Sequence, residues 1–319
     1  MKKIYFICLY LCIVLLCGGC SGGSSNEASP SSTVDETAKE TPDFSGSPAS
    51  ESTPAEMQET TAFLCNFSNL TGRESQETVD VAMNAAGISA QRRDIFFSHV
   101  KQFNEAVDST LLYDNFTEVD ALAPKYDAYD YQDQWMAKYP DFNGYNCRIT
   151  AFGLFADYMT VSTNAEIRDN DLFLDEESLH SDESVLLDES DRKKFLQFFS
   201  MVPTENTKDT SVHLQKIQKD WEKRGISFQT NDTLSLITVW FHNQWSEKEN
   251  ELTIGHTGIL IKQESYFLFI EKLAFQEPYQ ATWFDTKEDL AAYLMKKYDV
   301  SWGQETAPPF IMENDSLLK

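Results

Sequence analysis

Three side chains in this sequence are of the types that together perform acyl transfer: Cys147, His256 and Glu271. A cysteine thiolate attacks a carbonyl carbon, a histidine carries the proton, and a third polar group orients the ring and stabilises its charged form. The cysteine lies in Asp141-Phe-Asn-Gly-Tyr-Asn-Cys147-Arg-Ile-Thr-Ala-Phe152. Asn143-Gly144 is a turn pair, because both residues tolerate positive φ. Asn146 is an N-cap residue type, with a side-chain oxygen suited to a free backbone N–H of the next turn. Ile149, Phe152, Phe155, Ala156 and Met159 follow at helical spacings, so a helix is predicted from Cys147 to about Met159. The partial positive charge at a helix start favours thiolate over thiol. The competing expectations for Cys147 are a disulfide with Cys65 or an inert buried thiol.

Residues 252–261 and 266–275 are two apolar, β-branched and aromatic runs joined by residues 262–265, which reads as a hairpin. With its loop centred between Gln263 and Glu264, His256 stands directly opposite Glu271 on one face. A carboxylate buried among such strands needs a partner, and the imidazole supplies one. Gly255 and Gly258 weaken a strand unless something must come close, and the start of the Cys147 helix is the expected neighbour. An oxyanion would be held by the Cys147 backbone N–H and one further donor, for which Tyr145, Asn146 and Gln280 are the candidates. His242, at the edge of the preceding strand, is a weaker candidate base. His99 falls on an apolar helix face and reads as a core histidine, and His213 reads as exposed.

The elements that must position these groups give an α+β order, helices first and an antiparallel sheet after them. A strand is expected over 63–70. A Thr71–Glu74 capping box opens a helix over 78–86, closed by Gly87. Further helices are expected over 92–107, 131–139, 192–202 and 211–224, the last ended by Gly225. Strands follow over 234–242, 252–261, 266–275 and 278–284, then a helix over 287–298 capped by Thr286.

The chain has 319 residues and a formal net charge of −25, a field that repels nucleic acid and anionic lipid headgroups. Residues 1–19 read as an export leader, with Lys2 and Lys3 before an apolar run too short to span a membrane comfortably. Residues 20–60, rich in Ser, Thr, Pro and Glu, read as a disordered tether. Residues 61–305 are expected to form one domain and 306–319 a polar tail. Asp169-Asn170-Asp171 begins like a calcium loop, but Phe173 and Leu174 stand where a ligand and a glycine belong, so an acidic loop is expected and no metal. Neither a phosphate loop, a His-Glu-x-x-His helix nor a Gly-x-Ser-x-Gly elbow is present, and no cofactor is expected.

Cys17-Gly-Gly-Cys20 resembles a bacterial lipobox, with Cys17 where Leu is usual; the competing expectations are an ordinary secretory signal cleaved nearby or an uncleaved anchor. That resemblance implies cleavage before Cys20, lipid on its thiol and new amino group, and an extracytoplasmic protein whose membrane partner is met through the acyl chains. Asn-Cys-Arg-Ile-Thr-Ala-Phe at 146–152, Gly-His-Thr-Gly-Ile-Leu-Ile at 255–261 and Ile-Glu-Lys-Leu-Ala-Phe-Gln-Glu-Pro-Tyr-Gln at 270–280 resemble a family of exported bacterial lipoproteins, domain of unknown function 4300. More distantly, Cys147, His256 and Glu271 are similar in order and setting to papain-like, NlpC-type cysteine amidases and endopeptidases. This likeness implies hydrolysis of a peptide or amide bond, with a cell-wall peptide or a protein as candidate substrate. The chain departs from that pattern in its long segment between Cys147 and His256, in Asn146 where an acid is common, and in Glu271 where His, Asn or Gln is usual. The alternative expectation is a non-catalytic lipoprotein that binds a ligand or protein with the same fold.

Overall fold

A computed structural model describes residues 62–162, 172–181, 188–229, 232–246, 248–300 and 303–319. The expected leader 1–19, the lipidation site Cys20, the tether 20–60 and Asp169-Asn170-Asp171 lie outside the described residues.

Local chemistry sets most helix starts. β1 (Leu64–Ser68) leads into α1 (Arg73–Ala85) and α2 (Ala90–Asn104). Thr71 does not cap α1; Gly72 is the N-cap residue and gives no side-chain bond. Gly87 turns the chain at φ 89°, and the Ser89 side chain caps α2 by accepting from Arg92 N. β2 (Thr117–Asp120) pairs with β1, and α3 (Ala128–Lys138) starts under the Asp127 carboxylate. α4 (Cys147–Phe155) starts at Asn146 and ends in a short 3-10 turn over Ala156–Tyr158. After it come β3 (Met159–Thr160), α5 (Phe173–His180), α6 (Glu189–Phe199), β4 (Val202–Pro203), α7 (Thr210–Arg224) and β5 (Ser227–Phe228). The remainder is β6 (Leu234–Gln244), β7 (Asn250–Lys262), β8 (Phe267–Lys272), β9 (Tyr279–Phe284), α8 (Lys287–Tyr298), β10 (Phe310–Glu313) and β11 (Ser316–Leu317).

The fold is α+β. Strands run in the order β11-β10-β6-β7-β8-β9-β1-β2, with β4 added beside β7, and these pairings are antiparallel. Ile149 and Phe152 of α4, Phe198 of α6 and Trp221 of α7 pack with Trp240, Ile259 and Ile270 in one core. Leu290, Tyr293 and Leu294 of α8 pack with Val239, Leu260 and Phe269 in a second. Alternation along the strands assigns these cores to opposite sheet faces. Among the described residues no helix is long and apolar enough to cross a membrane.

Residues 306–319 are not a tail. β10 pairs with β6, and Ala307 N donates to His242 Nδ1 at 3.0 Å. Pro308 and Pro309 stand directly before β10, where their missing N–H groups break no ladder.

His213 is fully buried, where exposure was expected. Its Nε2 donates to Thr207 O (2.9 Å), its Nδ1 meets Thr204 Oγ1 (2.7 Å), and its ring lies 4.6 Å from that of His242. His242 Nε2 in turn meets Asn250 Oδ1 at 3.1 Å. With Ala307 N–H aimed at Nδ1, His242 is held in the neutral Nε2–H tautomer. Burial keeps both rings below the ordinary 6.5, against the pull of Glu205 and Asp209 on His213 and the bond to Asn250 on His242. An unfolded chain takes these protons first as pH falls. The stability the pair contributes is therefore complete above about pH 6.5 and is lost on further acidification. Protection factors against hydrogen exchange at Ala307 and along β10 should fall between about pH 6.5 and 5, and His242→Gln should blunt that dependence.

The hairpin register differs from the sequence expectation by two residues. Gln263 N donates to Tyr266 O at 2.9 Å, so Glu264-Ser265 is the tip, and Gly258, not His256, faces Glu271. A two-residue shift keeps parity, so His256 and Glu271 still share a face as diagonal neighbours. In the β6–β7 ladder Val239 faces His256 and Trp240 faces Ile254, which leaves Gly255 as a bulge. Before the bulge Leu252 and Ile254 point to the α4 side, and after it Ile259 and Ile261 do. The extra residue thus puts His256 on the α8 side with Glu271.

The glycines answer to aromatic neighbours, not to α4. A Cβ at Gly255 would lie 1.8 Å from the Phe241 ring, and one at Gly258 would lie 2.5 Å from the Phe269 ring. Gly255→Ala is expected to destabilise the fold by about 1–3 kcal/mol, with partial recovery on adding Phe241→Leu, as read by denaturant unfolding.

Candidate functional site

The site forms where the sheet is interrupted. β8 pairs with β7 only from Gly258 onward, and β4 pairs with it at Glu251 and Leu252. Both strands lie on the edge of β7 opposite β6, so neither covers residues 253–257 there. The start of α4 comes to that gap, where Arg148 Nη1 donates to Ile254 O at 3.4 Å. Cys147 is the first residue of α4, and Asn146 caps it by accepting from Ile149 N at 3.0 Å.

His256 Nε2 meets Glu271 Oε2 at 2.5 Å, with both side chains fully enclosed. The other Glu271 oxygen accepts from Gln280 Nε2 (2.5 Å) and Tyr293 Oη (3.0 Å). Four groups on β7, β8, β9 and α8 thus form one chain of hydrogen bonds. Its free end is His256 Nδ1, which has no formed hydrogen bond and is the ring nitrogen left for the sulfur. Burial pushes the Cys147 thiol up, but His256 and then Arg148 outweigh it and hold the thiol below the ordinary 9.0. Burial pulls His256 down, but Cys147 and Glu271 outweigh it and hold the ring up at about 9. The opposed shifts of the two groups show that the Cys147 sulfur and the His256 ring lie within each other's electrostatic reach. Glu271 is kept below its usual value, because His256, then Lys297 and Gln280, overcome its burial.

The structure thus brings Cys147, His256 and Glu271 together. It gives the expected oxyanion donors other partners. The Gln280 amide is turned onto Glu271 and Tyr293. The Asn146 amide spans Ile149 N and Asp175 Oδ1. Tyr145 is buried and stacked on His99, centroids 3.9 Å apart, which also places His99 in the core as expected. The backbone N–H of Cys147, at the helix start where no intrahelical acceptor exists, is the donor the arrangement offers. His242 is engaged by Asn250 and Ala307, not by a member of this chain of bonds.

Sequence reasoning missed three neighbours. Tyr298 stacks on His256, centroids 4.8 Å apart and 22° between planes. Lys272 is buried, gives its Nζ to the carbonyls of Ala274, Phe275 and Glu277, and lies 4.2 Å from the Phe103 ring centroid. Burial lowers it to about 7, against the pull of Glu277 and Cys147. Asp175 is fully buried beside Asn146 and Arg148. Only the tyrosine had a sequence signal, its place on the apolar face of the closing helix.

Cys65 and Cys147 are both free thiols. Burial pushes Cys65 to about 12 despite the Ala121 N–H, so it is the inert thiol of the two. Among the described residues no group of three or more His, Cys, Asp or Glu is placed to hold a metal ion. A surface cavity of about 280 Å³ lies at the hairpin end of the sheet, between Lys262, Phe267, Lys287 and Glu313, away from Cys147. Neither the curated proteins nor the solved structures hold a match to the chain. A family model described as Domain of unknown function (DUF4300) matches residues 66–318, and the chain belongs to that family.

Proposed function

We propose that this protein is an extracytoplasmic, lipid-anchored cysteine hydrolase of papain-like design that cleaves a peptide or amide bond, with cell-wall peptide as the candidate substrate. One observation carries the reading: a helix-start cysteine whose thiolate is favoured by an imidazole that is itself bonded to a buried glutamate. In the reaction the Cys147 thiolate forms a bond to the carbonyl carbon, and its N–H stabilises the oxyanion. Protonated His256 gives its proton to the departing amine as the C–N bond breaks, leaving a thioester. The neutral ring then takes a proton from water, whose oxygen attacks the thioester; the C–S bond breaks, the acid leaves, and the thiolate–imidazolium pair is restored. Cys20 supplies the membrane anchor.

The second reading, a binding protein without catalysis, is favoured by how covered the pair is. Cys147 is 5% exposed and His256 1%, with Tyr298 laid over the ring. Under the hydrolase reading Tyr298 must swing aside for substrate. Tyr298→Ala should then speed alkylation of Cys147 several-fold at fixed pH with Cys65 still unlabelled, whereas a ring that only fills the core would leave the rate unchanged or, through unfolding, expose both cysteines together. The deciding experiment is intact mass spectrometry of the protein quenched during incubation with cell-wall peptide fragments. A thioester on Cys147, absent in Cys147→Ser, supports the enzyme. Intact fragments that bind without adduct or cleavage support the binding reading.

A further inference from the structure

We propose that Asp175 is a positioning residue for the Cys147 nucleophile, clamping the residues on both sides of it from a separate helix. The proposal rests on the nucleophile reading above.

Asp175 lies on α5, far along the chain from Cys147, and its carboxylate is fully buried. Oδ1 accepts from Asn146 Nδ2 at 2.8 Å and from Arg148 Nε at 3.0 Å, while Oδ2 accepts from Arg148 Nη2 at 2.6 Å. A two-oxygen grip of this kind fixes the plane of the guanidinium as well as its distance. The same carboxylate fixes the Asn146 amide: with Nδ2 on Asp175, Oδ1 is left to cap Ile149 N. Cys147 sits between two residues whose side chains end on one buried acid. Its backbone N–H and the direction of its Cα–Cβ bond are set by that frame.

Charge alone does not account for an acid here. Arg148 favours the Cys147 thiolate, whereas Asp175 opposes it. A cap alone does not account for it either, since Asn146 can cap α4 with no partner. What Asp175 adds is geometry, obtained against its own field. Buried charges of this kind are held by their hydrogen bonds, and removing one member disorders the others.

The test is the pH profile of iodoacetamide alkylation of Cys147 in the full chain, for wild type, Asp175→Asn and Asn146→Ser. Loss of positioning predicts that Asp175→Asn moves the thiol titration upward and slows alkylation at pH 7 by about tenfold. A purely electrostatic Asp175 predicts the opposite, a lower titration and a faster reaction, and would overturn the proposal. Asn146→Ser keeps a capping hydroxyl but loses the link to Asp175. It should slow the reaction several-fold, and an unchanged profile there would also overturn the proposal, including in the case that Asp175→Asn does not fold. A wild-type thiol that titrates at or above 9.0 would instead remove the nucleophile reading itself, a distinguishable failure.

Discussion

Under the proposed hydrolase activity, Glu271→Gln should lower turnover by about 10²–10⁴-fold while leaving the fold nearly intact. Glutamine matches glutamate in shape, so one oxygen can still accept from Gln280 and Tyr293. The other position becomes an NH₂ facing His256 Nε2. Two donors cannot share that contact, so the ring must place its proton on Nδ1 and accept at Nε2. Nδ1 is the nitrogen left for the Cys147 sulfur, and once it carries the proton of a neutral ring it cannot take the thiol's. The wild-type ring is held up at about 9 partly by the glutamate. Without that charge, the upper limit of the thiolate–imidazolium window should fall toward neutral pH. The check is the pH dependence of Cys147 alkylation alongside a denaturant melt. A normal melt with a collapsed window is the expected result.

His256→Ala should act on both reactivity and stability. It removes the group that outweighs burial at Cys147, so the thiol should titrate above 9.0 instead of below it. Alkylation at pH 7 should slow by at least about tenfold. It also leaves Glu271 enclosed with Gln280 and Tyr293 but without its cationic partner. Removing one member of such a buried pair costs about 3–5 kcal/mol. The stability is pH-dependent in a defined direction. Because the folded ring is raised from 6.5 to about 9, its contribution is complete below about pH 6.5 and is lost as pH rises through 9. Wild type should therefore weaken between neutral and alkaline pH, and His256→Ala should lack that component. Denaturant midpoints at pH 6, 8 and 10 would show it.

The two halves of the site were legible to different depths. Asn146 before an apolar helical period marked the start of α4 correctly, because a cap and a period are local properties. The same-face pairing of His256 with Glu271 followed from parity, which a two-residue slip preserves. The register itself was not legible. The tip Glu264-Ser265 carries none of the glycine or asparagine signals that fix a hairpin turn. The bulge at Gly255 was hidden too, since its cause is the Phe241 ring on the neighbouring strand. Gln280 stands in the sequence as one of three oxyanion candidates, because only coordinates show that its amide faces Glu271 and Tyr293. Asp175 could not be singled out among the many acids around it, for its burial depends on α5 docking against Asn146 and Arg148. β10 was obscured by the two prolines that precede it, and His213 by a polar helix whose buried side became clear only once β10 was in place.

The most direct measurement is the alkylation rate of Cys147 in the full-length wild-type protein as a function of pH, with Cys65 as the internal reference. The structure predicts that Cys147 titrates below 9.0, while Cys65, held near 12, stays unlabelled throughout. A Cys147 that titrates at or above 9.0, or that is as unreactive as Cys65, would contradict the thiolate–imidazolium pair at the centre of this account.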